Sequence, residues 1–331
     1  MKTVRDVATK AGVSVGTVSK VLSNNPTVKP ALRDRVLTAV ADLGYKPNMA
    51  ARALRTNRLN ILGLVVPDIS NPFFAQLAKN IEAEAAQQAH MVMLANSDDD
   101  PVVEVRQIEG LLAQMPKGLI VVGSVDQSKV SIQTEVPIVS VDRRYGDYKL
   151  ISADHEAGSA LVAEHLFQLG HRRIAYISGP QSTEVGRLRR KGFCDRLQQL
   201  AQADATMKFQ IVEGHFDYAS GEDIGRRLLS ERAELSPTAI AAASDQQAIG
   251  ALRVARDLGI DVPTDLSIVG FDDITLANLV VPRLTSVSQN TAEIARMAVR
   301  TLLSEKPMPT EDQFVETILC ARGSSGAVAI K

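Results

Sequence analysis

Apolar residues in the first 45 positions recur at helical spacing in three short segments. Val4, Val7 and Ala8 mark a helix over residues 3–10, and Ala11-Gly12-Val13 interrupts the pattern. Ser14 offers an N-cap hydroxyl to a second helix, residues 15–22, whose stripe is Val15, Val18, Val21 and Leu22. A third helix, about 31–43, begins after Lys29-Pro30 and stops at Gly44, with Leu32, Val36, Ala39, Val40 and Leu43 on its apolar face. Two short helices joined by a three-residue turn containing Gly form a helix-turn-helix candidate, and three such helices just enclose a small core. Pro47-Asn48 marks a break, after which Asn48 can cap a helical stretch from Met49 to Arg55. Helices below ~12–15 residues are marginal in water, so this stretch folds only when something packs on it.

From Leu59 the texture changes to apolar runs alternating with amphipathic stretches. The runs predict strands at 61–66, 90–95, 118–122, 137–141, 173–178, 208–212, 238–243 and 266–271. The stretches between them predict helices such as 73–88, 102–114, 156–169, 184–199, 217–230 and 245–257. Continuous apolar strands alternating with helices imply parallel sheets covered on both faces. About 270 residues of this pattern exceed one ordinary sheet. The expected fold class is therefore α/β: a three-helix head, then two doubly wound lobes. A further strand is expected after Val315, with no leucine heptads beyond it.

Charge divides the chain at the same place. Eleven Lys and Arg against three Asp give residues 1–60 a charge of +8, while 26 basic and 35 acidic residues leave the remainder at −9. A basic head on an acidic body suits a chain that meets a polyanion at one end. Cys194 and Cys320 have no ligand-spaced partner and read as small buried apolar residues, so neither a disulfide framework nor a metal knuckle is expected. The five His lack metal spacing, and neither a nucleophile elbow nor a phosphate-binding glycine loop occurs, which leaves catalysis and cofactors without a foothold. His155 reads as a hydrogen-bonded structural residue, and Asp98-Asp99-Asp100 as a solvated turn that caps the helix from 102. With neither an apolar span of ~20 residues nor a signal-peptide core, no membrane contact is expected and the cytoplasm is the expected location.

The segment RDVATKAGVSVGTVSKVLSNNPTVKPALRDRVLTAVADLGYKPNMAARALR, residues 5–55, closely resembles the DNA-binding head of the lactose-repressor/galactose-repressor (LacI/GalR) family. NPFF at 71–74, VDR at 141–143, RLRRKGF at 187–193 and VGFDD at 269–273 resemble that family's effector domain, which is similar to periplasmic ribose-type binding proteins. The likeness runs from about residue 3 to about residue 322. It implies residues 1–47 as the DNA-binding domain, 48–59 as hinge helix and linker, and 60–331 as the effector-binding and dimerisation domain. Within the last, the N-subdomain would take about 60–157 and 288–316, and the C-subdomain about 158–287 and 317–331.

By this resemblance the second helix enters the major groove of operator DNA. Val15, Gly16 and Lys20 would face base edges, with Ser14, Thr17 and Ser19 available for phosphates or bases. Lys20 would favour a guanine edge and Val15 a thymine methyl, a thinner set than in relatives with Tyr-Gln at 15 and 16. Asn48, Ala51, Arg52, Leu54 and Arg55 match the hinge helix, which pairs with its twin from a second subunit. Leu54 would wedge into the minor groove while Arg52 and Arg55 meet phosphates.

For the effector the resemblance transfers Asn71, Phe73, Phe74, Asp142, Arg143, Arg189, Phe216, Asp272 and Gln289, and Ser244 where many sugar-binding relatives carry Asn. Carboxylates, guanidinium groups and amides pair with vicinal hydroxyls, and aromatic faces cover the C–H side of a sugar ring. Two Asp balance two Arg in this set, which favours a neutral sugar or polyol over a phosphosugar. The implied partners are a pseudo-palindromic operator, a small effector and a second copy of the chain. The implied function is an effector-controlled transcription regulator, most often a repressor. The alternatives are the same regulator with a phosphosugar or protein co-effector, and a solute-binding protein.

Overall fold

The computed structural model describes residues 2–22, 25–45, 60–124, 132–230 and 235–328. The chain divides into two compact units, Met1–Leu59 and Asn60–Lys331.

In the first unit, α1 (Val4–Ala11) opens on a capping box: Thr3 accepts from the Asp6 amide while the Asp6 carboxylate accepts from the Thr3 amide at 2.7 Å. It closes at Gly12, whose φ of 61° lies in the left-handed region. The Arg35 guanidinium donates to the Ala11 carbonyl at 2.6 Å, and a Cβ on Gly12 would lie 2.8 Å from the same nitrogen. Glycine therefore answers both the conformation and the crowding there. Ser14 accepts from the Thr17 amide at 3.1 Å and so caps α2 (Val15–Leu22). The third helix, α3 (Pro30–Leu43), starts on proline and ends at Gly44, φ 58°. Val7, Ala8, Ala11, Val18, Val21, Val36 and Ala39 form the core. Val15, placed by periodicity on the apolar stripe, is instead 38% exposed at the first turn of α2.

The second unit contains a six-stranded parallel sheet in the order β11-β5-β4-β3-β1-β2, a four-stranded parallel sheet in the order β7-β6-β8-β9, and an antiparallel pair, β10-β12. The first sheet is built from β1 (Ile61–Val66), β2 (Met91–Asn96), β3 (Gly118–Val121), β4 (Ile138–Val141), β5 (Leu150–Ala153) and β11 (Gln313–Val315). Its helices are α4 (Pro72–Gln87), α5 (Pro101–Leu112) and α10 (Thr291–Leu303), with α4 and α10 packed together over one face. The second sheet holds β6 (Arg173–Ser178), β7 (Lys208–Glu213), β8 (Ala239–Ala242) and β9 (Ser267–Val269). It is covered by α6 (His155–Gln168) and α7 (Glu184–Ala203) on one face, and by α8 (Tyr218–Leu228) and α9 (Asp245–Asp257) on the other. The pair β10 (Ser286–Ser288) and β12 (Ile318–Cys320) lies beside β9 and its C-terminal extension, through the Val269–Thr285 and Asp272–Ser288 bridges. The chain thus crosses between the two lobes after Ala153, after Ser288 and after Val315.

The eight predicted strands are present with ends shifted by at most two residues, and the strand expected after Val315 is β12. Beyond that reading lie β5, β10, β11 and α10. Strand β2 also departs from it: Met91 is 73% exposed, so this edge strand is not covered on both faces. Cys194 and Cys320 are half-buried free thiols rather than core residues. One packing detail links α6 to α7. A Cβ on Gly192 would stand 2.1 Å from the Glu156 carbonyl oxygen, so the two helices meet backbone to backbone.

Candidate functional site

On the first unit, Val18 and Val21 point α2 into the core, which turns Ser14, Val15, Gly16 and Lys20 outward; Thr17 and Ser19 are half-buried at the edge of this face. The Ser14 hydroxyl is 2.9 Å from that of Thr17, so these two side chains fasten the start of the helix as well as facing outward. Five expected DNA contacts, Asn48, Ala51, Arg52, Leu54 and Arg55, lie outside the described residues.

In the second unit, eight of the ten expected effector residues line one cleft between the two sheets: Asn71, Phe73, Phe74, Asp142, Arg143, Arg189, Phe216 and Asp272. They come from strand ends, the loops that follow them and the first two turns of helices, as in other open α/β sheets. Asn71 caps α4 by accepting from the Phe73 amide at 3.0 Å, which sets the two phenyl rings edge to face, 5.3 Å apart. Asp142 and Arg143 follow β4, and Asp142 adopts φ 61°. The Arg143 guanidinium lies 5.2 Å from the centre of the Phe74 ring and donates to Asp99 at 2.9 Å. Asp99 therefore orients a cleft side chain besides standing in the turn that Asp100 closes by capping α5.

Arg189, on the second turn of α7, is the hub of the opposite wall. It donates to the Ala243 carbonyl at 2.5 Å, to Asp272 at 2.9 Å and, through Nε, to His155 Nδ1 at 3.3 Å. Its guanidinium also lies 4.0 Å from the Phe271 ring centre and 5.5 Å from that of Phe216. Gln289 sits behind Asp272 and donates to the same carboxylate oxygen at 2.7 Å. Ser244 stands apart from this group: it is buried at 2% exposure and caps α9 by accepting from the Gln247 amide at 3.2 Å.

Burial raises the Asp142 carboxyl to about 6 against the opposing pull of Arg189 and Arg143, and it raises Asp272 in the same way. Burial holds the His155 imidazole well below its usual range, with Arg189 and Arg143 adding to the effect, so the ring is neutral. Because Nδ1 accepts from Arg189, the ring hydrogen is on Nε2, 3.1 Å from Ser152 Oγ and 3.6 Å from Asp142 Oδ1. His155 thus bridges Asp142 on one lobe and Arg189 on the other. Sequence reading treated it as structural. Its place in the first helical turn after a strand was the available signal.

Three buried polar atoms here have no hydrogen-bond partner among the described residues: Asp142 Oδ1, Arg143 Nε and Gln289 Oε1. The cleft itself amounts to about 20 Å³. That is room for about one water, whereas cavities that enclose small molecules measure ~300–1,000 Å³, so admitting such a guest requires the lobes to part.

Residues 3–48 match the family described as bacterial regulatory proteins, lacI family, and residues 163–325 match the periplasmic binding protein-like domain. Over 321 residues the chain is 34% identical to catabolite control protein A of Priestia megaterium, covering 95% of each chain. It is also 34% identical to the transcriptional regulator GalR of Escherichia coli K12, with 98% of this chain and 96% of that one covered. The chain belongs to the LacI family. Among solved structures, the Lac repressor dimer bound to operator and the anti-inducer ONPF is similar with a TM-score of 0.79 at 28% identity, over 98% of this chain and 99% of that one. The CelR–cellobiose complex is similar with a TM-score of 0.67 at 30% identity, over 98% and 100%.

As a LacI-family protein the chain is a DNA-binding transcriptional regulator, and its relatives are regulators rather than enzymes. A transport receptor, the alternative that the body alone would allow, is thereby set aside. Among the described residues no helix is long and apolar enough to cross a membrane.

Proposed function

We propose that this LacI-family regulator is a repressor that binds a pseudo-palindromic operator as a homodimer and releases or grips it according to a neutral sugar or polyol held in the cleft. The observation that carries the effector reading is the set of buried atoms without a partner among the described residues: those of Asp142 and Arg143 beside Phe73, Phe74 and Phe216, and that of Gln289 behind Asp272. Two acceptors and one donor next to aromatic faces suit vicinal hydroxyls on a ring whose C–H side packs on phenyl groups. Asp142 and Asp272 against Arg143 and Arg189 leave no surplus cation for a phosphate. Ser244, occupied as a cap, leaves specificity on that wall to Asp272, Arg189 and Gln289.

On the DNA side, Val15, Gly16 and Lys20 read the major groove, flanked by Ser14, Thr17 and Ser19. The hinge segment, with Asn48, Ala51, Arg52, Leu54 and Arg55, pairs across the dimer and wedges Leu54 into the minor groove. The lobes correspond to about 60–157 with 288–316, and about 158–287 with 317–331. Ligand re-angles them, changes how the two hinge segments approach, and shifts operator affinity about 5–150-fold, the effect of a coupling of ~1–3 kcal/mol.

The test is operator affinity of the full-length protein with and without neutral sugars, polyols and phosphosugars, together with the melting temperature in each. Stabilisation by a neutral sugar or polyol with a matching change in operator affinity is expected. Stabilisation by phosphosugars alone would overturn the neutral-ligand reading, and an unchanged operator affinity would overturn the coupling.

A further inference from the structure

A second cavity, of about 390 Å³, lies behind the cleft. It is large enough to enclose a small molecule. Its apolar walls are Leu150, Val185, Leu188 and Phe314. Its charged lining residues are Asp142, Asp154, Glu156 and Glu184, and among the described residues no Lys or Arg lines it. Three of these carboxylates are engaged: Asp154 caps α6 at the Ala157 amide, 2.9 Å away, Glu156 meets Lys191 at 2.6 Å, and Glu184 stands 3.8 Å from Arg144. The fourth is not. Asp142 is 4% exposed and its Oδ1 has no hydrogen-bond donor, although His155 Nε2, on the same cavity wall, is 3.6 Å away.

We propose that this rear cavity binds a compact organic cation, an ammonium group on an apolar alkyl or cycloalkyl body. The ammonium donates to Asp142 Oδ1 within the acidic lining, and the hydrocarbon covers Leu150, Val185 and Leu188. A buried carboxyl facing a cavity without a basic residue is stabilised in its ionised form by such a charge and not by a neutral guest of the same shape. The effector cleft has the opposite character, because its two Asp are matched by two Arg.

The site also has a place in the signal. Its walls come from β5, β11 and the starts of α6 and α7, so they include residues beside two of the three chain crossings. Asp142 lines both spaces. A cation behind it competes for the oxygen that the proposed sugar would use, so amine and sugar weaken each other's binding equally. This coupling rests on the sugar reading of the cleft, whereas the cation site stands without it.

The experiment is calorimetric titration of the full-length protein with cyclohexylammonium and with cyclohexanol, its neutral isostere. The ammonium is expected to bind about tenfold more tightly than the alcohol, as a hydrogen bond to a buried charge implies. Ala157→Phe, at an exposed lining position on α6, fills the mouth of the cavity and should abolish amine binding while stabilisation by the effector sugar persists. Equal binding of ammonium and alcohol, no binding of the ammonium, or undiminished binding to Ala157→Phe would overturn the site. Amine binding that leaves sugar affinity unchanged would overturn the coupling alone.

Discussion

The described working residues of the head lie at its surface, whereas those of the body are largely buried. Every buried hydrophobic residue of the described head is Val or Ala, and Ser14, Val15, Gly16, Thr17, Ser19 and Lys20, the described residues proposed to meet DNA, stand outside that core. The body buries Tyr145, Phe193 and Phe271 along with many Leu and Ile, and its cleft charges are buried too: Arg189 is 3% exposed and Gln289 fully enclosed. A surface site costs the fold little, whereas a buried polar site without its ligand holds unsatisfied groups that only a stable core can carry. The DNA-reading face can therefore change without unfolding the head. The effector cleft cannot change so freely, because its residues also join the two lobes.

The strongest challenge to this contrast is Arg189→Ala. Removing the hub leaves Asp272 buried without its cation, so a loss of about 3–5 kcal/mol in denaturant stability is expected, along with loss of the sugar response. A loss below about 1 kcal/mol, within the range of surface ion pairs, would show the cleft to be energetically superficial. Next is Lys20→Ala, which should weaken the cognate operator by about 1–3 kcal/mol while leaving stability and nonspecific DNA binding nearly unchanged. Equal weakening on all sequences would make Lys20 a phosphate contact.

A third measurement uses pH. On the proposed reading the ionised Asp142 carboxylate accepts from the ligand, so with its pKa at about 6, sugar affinity should fall about tenfold from pH 7 to pH 5, and Asp142→Asn should flatten that profile. The ligand-free protein responds to this group in the other direction. A carboxyl raised above its unfolded value of 3.8 costs stability above about pH 6, and the cost is relieved as pH falls from about 6 toward 4. An affinity that does not vary between pH 5 and 7 would remove Asp142 from ligand contact. The smallest effect is Ser14→Ala, which should cost the head about 1 kcal/mol through loss of the α2 cap, read as a lower melting temperature of the head with the body unmoved.

The same contrast explains what the sequence disclosed. Long apolar runs such as ILGLVV announce strands, but LISA at 150–153 and SVS at 286–288 are too short and too polar to stand out. They become strands because neighbouring strands already present a ladder, which is tertiary information. On the head, periodicity separated core from surface except at Val15, where the helix had only begun. In the cleft, the residue types came from the resemblance, and eight of them converge in space. The joining role of His155 was hidden because it depends on a partner far along the chain, Arg189, whereas the cap by Ser244 is a local bond to the Gln247 amide.

The contact at Gly192 gives Arg189 mechanical reach. With no side chain between them, the backbones of α6 and α7 cannot slide apart at that level without opening a gap, so the arginine and the connection entering at Ala153–Asp154 travel as one piece. A guest that draws the guanidinium toward itself therefore pulls directly on a joint between the lobes. A larger residue at position 192 would meet the Glu156 backbone and force α6 and α7 apart, straining the Arg189–His155 contact between them.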